Sequence, residues 1–542
     1  MTVNTKYGVV TALAVASLVL STLTVGCSAL LDFDECQTDA DCTSVPGVAV
    51  VCSAEHYCVE ASLPNTTMPS NTGTSNTSTA GTSNTTPCCT WDSCQATNVN
   101  SVCVECACVE VENSNCAIKA GSLTEDALLI GSILPVRGDA SSIGIPIEQA
   151  IELAVTEINT NGGLGDGRRA VLIGCDSSGS VDVGKASAQH LVDVGVPAIV
   201  GPAFSSIFIE VSDLISSKSN VMLISPSATS PAISTLDDDG LSWRTVASDI
   251  FQAGALARRV EDRIVAQEII DPKVLAFGKN DAYGTGLLGK VSDALSDTIS
   301  EDFLVARIYP DPGEVMEIDY NTIIQDALDE FGSFSPDFVL LLGTNEIVQI
   351  MELLEASITM DRAPFYILSD GGRVVETLDY VSTNDAVIQR IEGVVADGKN
   401  DSLWTSYNRR FKTSFGSEEA GIYSANAYDA AYVIAFGAMT LIAEEAEFSG
   451  VGLSNAMIKL ITGMPVEVGP DSVGAARNIL LNGGNIDFNG ASGPVQFDTV
   501  TGDVASNVIL WTITTNSVSG EYEFVDTELF SVDINSWGPL NP

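Results

Sequence analysis

From about Glu125 to Gly371, short apolar runs alternate with amphipathic helical patterns. This alternation narrows the possible folds more than any other feature of the sequence. The runs are ALLIGSILP, AVLIGCD, PAIV, VMLI, KVLAFGK, FLVARIYP, DFVLLLG and PFYILSDG. Runs this short and this continuously apolar predict parallel strands buried on both faces, joined by helical crossovers. The first helical pattern, GIPIEQAIELAVTEINT, places Ile147, Ala150, Ile151, Ala154, Val155 and Ile158 on one face. It stops at Asn161-Gly162-Gly163, a helix-ending sequence. The series is too long for one sheet, and it restarts after Arg244–Asp249. The expected fold is α/β, with parallel sheets in two lobes.

The stretch Pro197–Pro231 shows where such a fold would bind something. Ala198–Val200 and Val221–Ile224 each run into a Pro-containing turn followed by Ser or Thr. In open parallel sheets ligands lie beyond the carboxyl ends of the strands, where both turns open. A helix starting at Ser205 leaves its first N–H groups unpaired and favours an anion there. Read without the rest of the chain, Ser205 and Ser206 are ordinary helix caps.

The first residues read as a targeting segment. Lys6 is followed by an apolar, small-residue run, Val9–Val25, that ends at Gly26-Cys27. This resembles a bacterial lipoprotein signal, residues 1–26, with Cys27 as the lipidated first residue. In one departure from that pattern, Leu23 stands one place early and Thr24 takes the usual Leu position. The cysteines agree with export. Of 13, four lie in the Cys-rich segment 27–60 beyond Cys27 itself, namely Cys36, Cys42, Cys52 and Cys58. Seven more lie in a second Cys-rich segment, 88–121. Dense cysteines in short acidic segments predict disulfide-stapled modules too small to hold a core. Zinc is the competing reading for Cys103, Cys106 and Cys108. Seven is an odd number, so one cysteine is free or pairs with Cys175, which by itself reads as a small buried apolar residue. Between the two segments, residues 61–87 are almost wholly Asn, Thr, Ser, Gly and Pro, a composition that predicts a disordered linker. Residues 27–121 together read as an anchor, two small knots and a tether.

Between about Ala127 and Phe524 the pieces IGSILP, AVTEINTNGGLG, VPAIVGPAFSS, VMLISPSATSP, WRTVASDIFQ, VLAFGKNDAYGTG, PDFVLLLG, YSANAYDAAYVIAFGA and GASGPVQFDTVTGD occur in that order. In these pieces the chain resembles the leucine/isoleucine/valine-binding family of type I periplasmic binding proteins. The resemblance implies two Rossmann-like lobes joined by three crossovers near Ala247–Asp249, Val394–Ala396 and Ser492–Pro494. Lobe 1 is then 122–248 with 396–493, and lobe 2 is 249–395 with 494–530. It also implies a ligand site. Ser205 would hold a carboxylate, helped by Ser227, Ala228 and Thr229 of the S-P-x-A-T turn. Asp249 would face the cleft, Tyr283 would close over the ligand, and Asp370 would hold an ammonium. Asp370 stands where the family often has Glu. The loop VRGDASSI lacks the aromatic residue that many relatives carry there, and Phe204 can supply apolar contact instead.

Other chemistries find little support. With 71 acidic against 24 basic residues the net charge is −47, which repels nucleic acid. Gly284, Gly286 and Gly289 spell G-x-G-x-x-G but do not open directly from a strand, so no dinucleotide is expected. His56 and His190 are the only histidines. No nucleophile–base set or metal motif stands out, so the expectation is no enzyme, no cofactor and no metal. The expected function is a periplasmic, lipid-anchored solute-binding protein. It would take an amino acid or a related amide or acid and pass it to an ABC transporter permease. The alternative is a sensory or receptor module on the same fold.

Overall fold

The computed structural model describes residues 50–52, 58–60 and 88–540, apart from 297, 316, 333–334, 358–362, 397–400 and 417–419. The expectations for the signal peptide 1–26, for Cys27 and for the linker 61–87 lie outside the described residues. The chain divides into two units, Met1–Thr85 and Thr86–Pro542. In the first, Val50–Cys52 and Cys58–Glu60 form an antiparallel pair with Cys52 opposite Cys58.

The second unit holds two large sheets. The first has the strand order Ser242–Arg244, Met222–Ser225, Ala198–Val200, Leu128–Leu134, Ala170–Asp176, Cys116–Ala120. Its first five strands are parallel neighbours, as their continuous apolar runs require. The second runs Leu304–Tyr309, Val274–Lys279, Phe338–Leu342, Phe365–Leu368, Ile391–Ala396, Val508–Thr515, Tyr522–Ser531, Ser536–Pro539. It is parallel as far as Ile391–Ala396 and antiparallel beyond. Lobe 2 therefore extends past residue 530.

Helices cover both sheets. Ser141–Thr160 ends where expected: Gly162 and Gly163 adopt positive φ, and the Gly163 N–H bonds Ile158 O at 2.9 Å. Helix Ser424–Ala443 is apolar all round and long enough to cross a membrane by length and composition, yet it is 94% buried. It packs against Ser141–Thr160 as the central helix of lobe 1.

Two expectations about boundaries change. The segment 88–121 is not a free-standing knot. Its last strand, Cys116–Ala120, pairs antiparallel with Ala170–Asp176 and becomes the edge of the lobe 1 sheet. Val102 and Val111 are buried in the same core as Ile133, Ile173 and Ile199. Cys175 is neither free nor merely apolar, because it forms a disulfide with Cys116. The other pairs are Cys88–Cys106, Cys89–Cys103 and Cys94–Cys108, so each cysteine considered for zinc is bonded to a cysteine of 88–94.

The third crossover is not at Ser492–Pro494. Gly493–Pro494 pairs with Ile486–Gly490, and Phe488, Ala491, Val495, Phe497 and Val504 join the lobe 1 core. The chain passes into lobe 2 between Val504 and Val508, which belongs to a lobe 2 core. Ala247, in the segment after Arg244, is bridged to Val504.

Candidate functional site

The lobes face one another across a partly open cleft. Lobe 1 contributes Ile143, Ala203, Phe204, Ser205, Ser227, Ile422 and Tyr423 to its wall. Lobe 2 contributes Lys279, Asp281, Tyr283, Thr344, Asp370, Gly371 and Val374. Four of the expected site residues thus line one space: Ser205, Ser227, Tyr283 and Asp370. Ala228, Thr229 and Asp249 stand behind it.

The lobe 1 wall is built by cross-lacing two turns. Ser225 Oγ donates to Pro202 O at 2.7 Å and accepts from Ala228 N at 2.9 Å. The Ser227 hydroxyl donates to Ala203 O at 2.9 Å. Ser205 is the first residue of helix Ser205–Ser219, and its Oγ accepts from Ser230 N at 3.1 Å. The cap role expected of Ser205 is therefore replaced by a bond between turns, and its O–H remains able to donate into the cavity. Arg244 is fully buried and braces this wall. Its Nη1 donates to Ser230 O at 2.8 Å and its Nε to Asp503 Oδ1 at 2.8 Å.

The lobe 2 wall centres on Asp370, at the carboxyl end of Phe365–Leu368. Its N–H donates to Gln252 Oε1 at 2.8 Å. Tyr283 OH donates to Oδ1 and Tyr423 OH to Oδ2. Tyr283 OH also lies 2.8 Å from Ser369 Oγ. Burial, followed by the Asp370 carboxylate, holds both phenols well above their ordinary pKa, so both stay donors.

Asp249 is fully buried, and Gln252 Nε2 donates to its Oδ1 at 2.8 Å. Gln252 thus joins Asp249 to Asp370. Burial and then the Asp370 charge push the Asp249 pKa well up. Thr229, Arg244 and Gln252 oppose that rise. The Thr229 hydroxyl lies beside Asp249 without closing a well-formed hydrogen bond, leaving Thr229 Oγ1 and Asp249 Oδ2 buried and unpartnered. Among the described residues no lysine or arginine forms an ion pair with Asp249 or Asp370. Two carboxyl groups therefore share the cleft without an ion-pair partner of their own, although Lys279 stands on the same wall and Arg244 lies near Asp249, and a ligand cation can supply that partner.

Several wall residues were not singled out in the sequence: Ile143, Lys279, Asp281, Val374, Ile422 and Tyr423. Tyr423 heads the piece YSANAYDAAYVIAFGA, so a signal was present. Its left-handed backbone, φ 64°, is what turns the ring toward the cleft, and a tyrosine does not announce that conformation. Phe204 lines the cavity.

The sequence profile of the family described as periplasmic binding protein matches residues 128–513. The chain belongs to that family. It is a family of solute-binding proteins rather than enzymes. The Leu/Ile/Val-binding protein BraC3 of Rhizobium johnstonii is 30% identical over 205 residues, which are 35% of this chain and 53% of that protein. Leu/Ile/Val-binding protein homolog 3 of Brucella melitensis is 28% identical over 196 residues, 36% of this chain and 47% of that one. The chain thus spans about half the length of these relatives. Among solved structures it resembles the leucine binding protein LivK of Thermotoga maritima, with a TM-score of 0.56 and 16% identity over 75% of this chain and 99% of that one. It also resembles the branched-chain amino acid transporter substrate binding protein LivJ of Streptococcus pneumoniae, solved with isoleucine. There the TM-score is 0.54 and the identity 20%, over 74% of this chain and 99% of that one. At these identities the structural likenesses establish the two-lobed fold of the family.

Proposed function

We propose that this periplasmic binding protein captures a small amino acid-like zwitterion between its lobes and delivers it to an ABC importer. The observation that carries the reading is the opposite polarity of the two walls. Ser205 and the start of its helix, in lobe 1, offer donors suited to a carboxylate. Asp370, with Asp249 behind it, offers lobe 2 carboxylates suited to an ammonium. Each lobe holds one end of the ligand, so the ligand itself favours closure. Thr229, Ala228 and Ser227 shape the carboxylate end, while Tyr283 and Tyr423 orient Asp370. The relatives named for leucine, isoleucine and valine support an amino-acid ligand and a transporter partner. The resemblance of residues 1–27 to a lipoprotein signal supports export to the periplasm and anchoring of the chain by lipid on Cys27.

Calorimetry on the full chain tests the reading, using a panel of amino acids with analogues lacking either the amine or the carboxylate. Binding should need both groups. If a folded protein binds no member of the panel, the reading fails.

A further inference from the structure

Lys279 and Asp281 belong to the cavity wall, but the zwitterion clamp does not use them. Lys279 Nζ lies 3.0 Å from Asp281 Oδ2, and the two side chains are only 4% and 3% exposed. Lys279 also lies 5.0 Å above the ring of Phe204, which comes from the opposite lobe. An ammonium carries three N–H donors, and one acidic partner leaves donors to spare. Asp281 Oδ1 accepts the Gly284 N–H at 2.7 Å, capping the helix Ala282–Leu295, and the carboxylate keeps further lone pairs. The pair therefore presents a donor beside an acceptor on the wall that also carries Asp370.

We infer that Lys279 and Asp281 read a carboxamide, and that the preferred ligand is an amino acid with an amide side chain. The inference rests on the amino-acid reading above. A carboxamide offers a C=O to Lys279 and an N–H to Asp281, and it adds no charge. The surroundings disfavour the alternatives. Glu346 lies behind Lys279, held there by hydrogen bonds from Tyr309 OH at 2.7 Å and Thr344 N at 3.0 Å. Burial alone would lower the Lys279 pKa, but the charges of Asp281, Glu346 and Asp311 outweigh it and keep the ammonium protonated. Three carboxylates around one ammonium repel an anionic side chain such as that of glutamate. A cationic side chain would have to compete with Lys279 for those carboxylates. An aliphatic side chain would remove water from a buried charged pair and return no hydrogen bond, the circumstance in which a polar site discriminates most strongly.

The test is calorimetry of the full chain with L-glutamine, L-asparagine, L-leucine, L-glutamate and L-lysine. The expected result is that one of the amides binds at least tenfold more tightly than the other three. Lys279→Met should remove most of that advantage, with a thermal melt confirming that the variant folds. Leucine, glutamate or lysine binding as tightly as the amides in the unaltered protein overturns the inference and leaves the amino-acid reading standing. An amide preference that survives Lys279→Met also overturns it. Failure of all five to bind overturns both readings. The ranking in the unaltered protein decides the matter even if the variant does not fold.

Discussion

The Tyr423 hydroxyl reaches from lobe 1 to donate to the Asp370 carboxylate of lobe 2. Tyr423 precedes helix Ser424–Ala443 of lobe 1 and Asp370 follows strand Phe365–Leu368 of lobe 2, so this bond exists only when the lobes are closed. It meets part of the need that a ligand ammonium would meet, and it holds the closed form together without one.

Tyr423→Phe tests this link because it keeps the ring in the wall and removes only the hydroxyl. One hydrogen bond to a charged group contributes about 1.5–3 kcal/mol, less whatever water restores when the lobes part. The variant should populate the open form more. Small-angle scattering of the ligand-free protein should show a larger radius of gyration, and ligand affinity should fall about tenfold or less because the binding-competent form is rarer. An unchanged radius with unchanged affinity would mean that closure does not depend on this bond.

Asp370→Ala separates the two ends of the clamp. It removes the carboxylate facing the amine and leaves Ser205 and its helix intact. Affinity for an amino acid should drop by about two orders of magnitude, the loss expected for a buried, charged hydrogen-bonding partner. Affinity for the matching carboxylic acid without an amine should change little. Equal losses for the two ligands, measured by calorimetry, would remove Asp370 from the ammonium-binding role.

Much of this was legible in the sequence, and for physical reasons. Strands such as Ala170–Asp176 and Phe338–Leu342 are buried along their whole length, so their apolar runs are unbroken. The jaws at Ser205 and Asp370 follow directly from where those strands end. The edge strand Cys116–Ala120 was not legible. It reads CAIKA, its middle residues are half-exposed, and its partner lies far along the chain. The third crossover, which the resemblance put near Ser492–Pro494, lies further along because Val495, Phe497 and Val504 still pack on lobe 1. The role of Arg244 was invisible because it acts through backbone carbonyls of a turn that sequence spacing does not place beside it.

The Cys116–Cys175 disulfide makes the Cys-rich segment part of lobe 1. It spans a sequence separation of 59. Closing a loop of that size in the unfolded chain accounts for about 4 kcal/mol in the chain-entropy picture, and measured values are commonly about 2–4 kcal/mol. Cys116→Ser with Cys175→Ser should lower the denaturant midpoint accordingly. Hydrogen exchange should rise in 116–120 and 170–176 together, because those strands pair. Faster exchange confined to 116–120 would show that Ala170–Asp176 needs no cover on that edge.

Asp429 gives stability a pH dependence that can be isolated. It accepts hydrogen bonds from Ala491 N at 2.9 Å, Ser492 N at 2.7 Å and Ser492 Oγ at 2.5 Å. Burial still dominates and pushes its pKa from 3.8 up to about 7. The folded state therefore holds this proton more tightly than the unfolded state. The associated stability is full below pH 3.8 and is lost as pH rises toward about 7. Denaturant unfolding of the unaltered protein and of Asp429→Asn should diverge across that window, with the variant lacking this component of the slope. Parallel curves would show that folding leaves the Asp429 pKa unchanged.

Asp249 couples ligand binding to a proton. Burial and the neighbouring Asp370 charge raise its pKa in the ligand-free cleft. An ammonium placed between the two carboxyl groups opposes both causes, so binding should draw the Asp249 pKa back down and release a proton. Affinity should therefore rise with pH from the ordinary carboxylate range upward, and level off once Asp249 is ionised in the free protein. Calorimetry in buffers of different ionisation enthalpy counts the proton directly. Asp249→Asn keeps the side-chain size and can still accept from Gln252, so it should abolish proton release while weakening amino-acid binding. Proton release that persists in Asp249→Asn would assign the linkage to another group in the cleft.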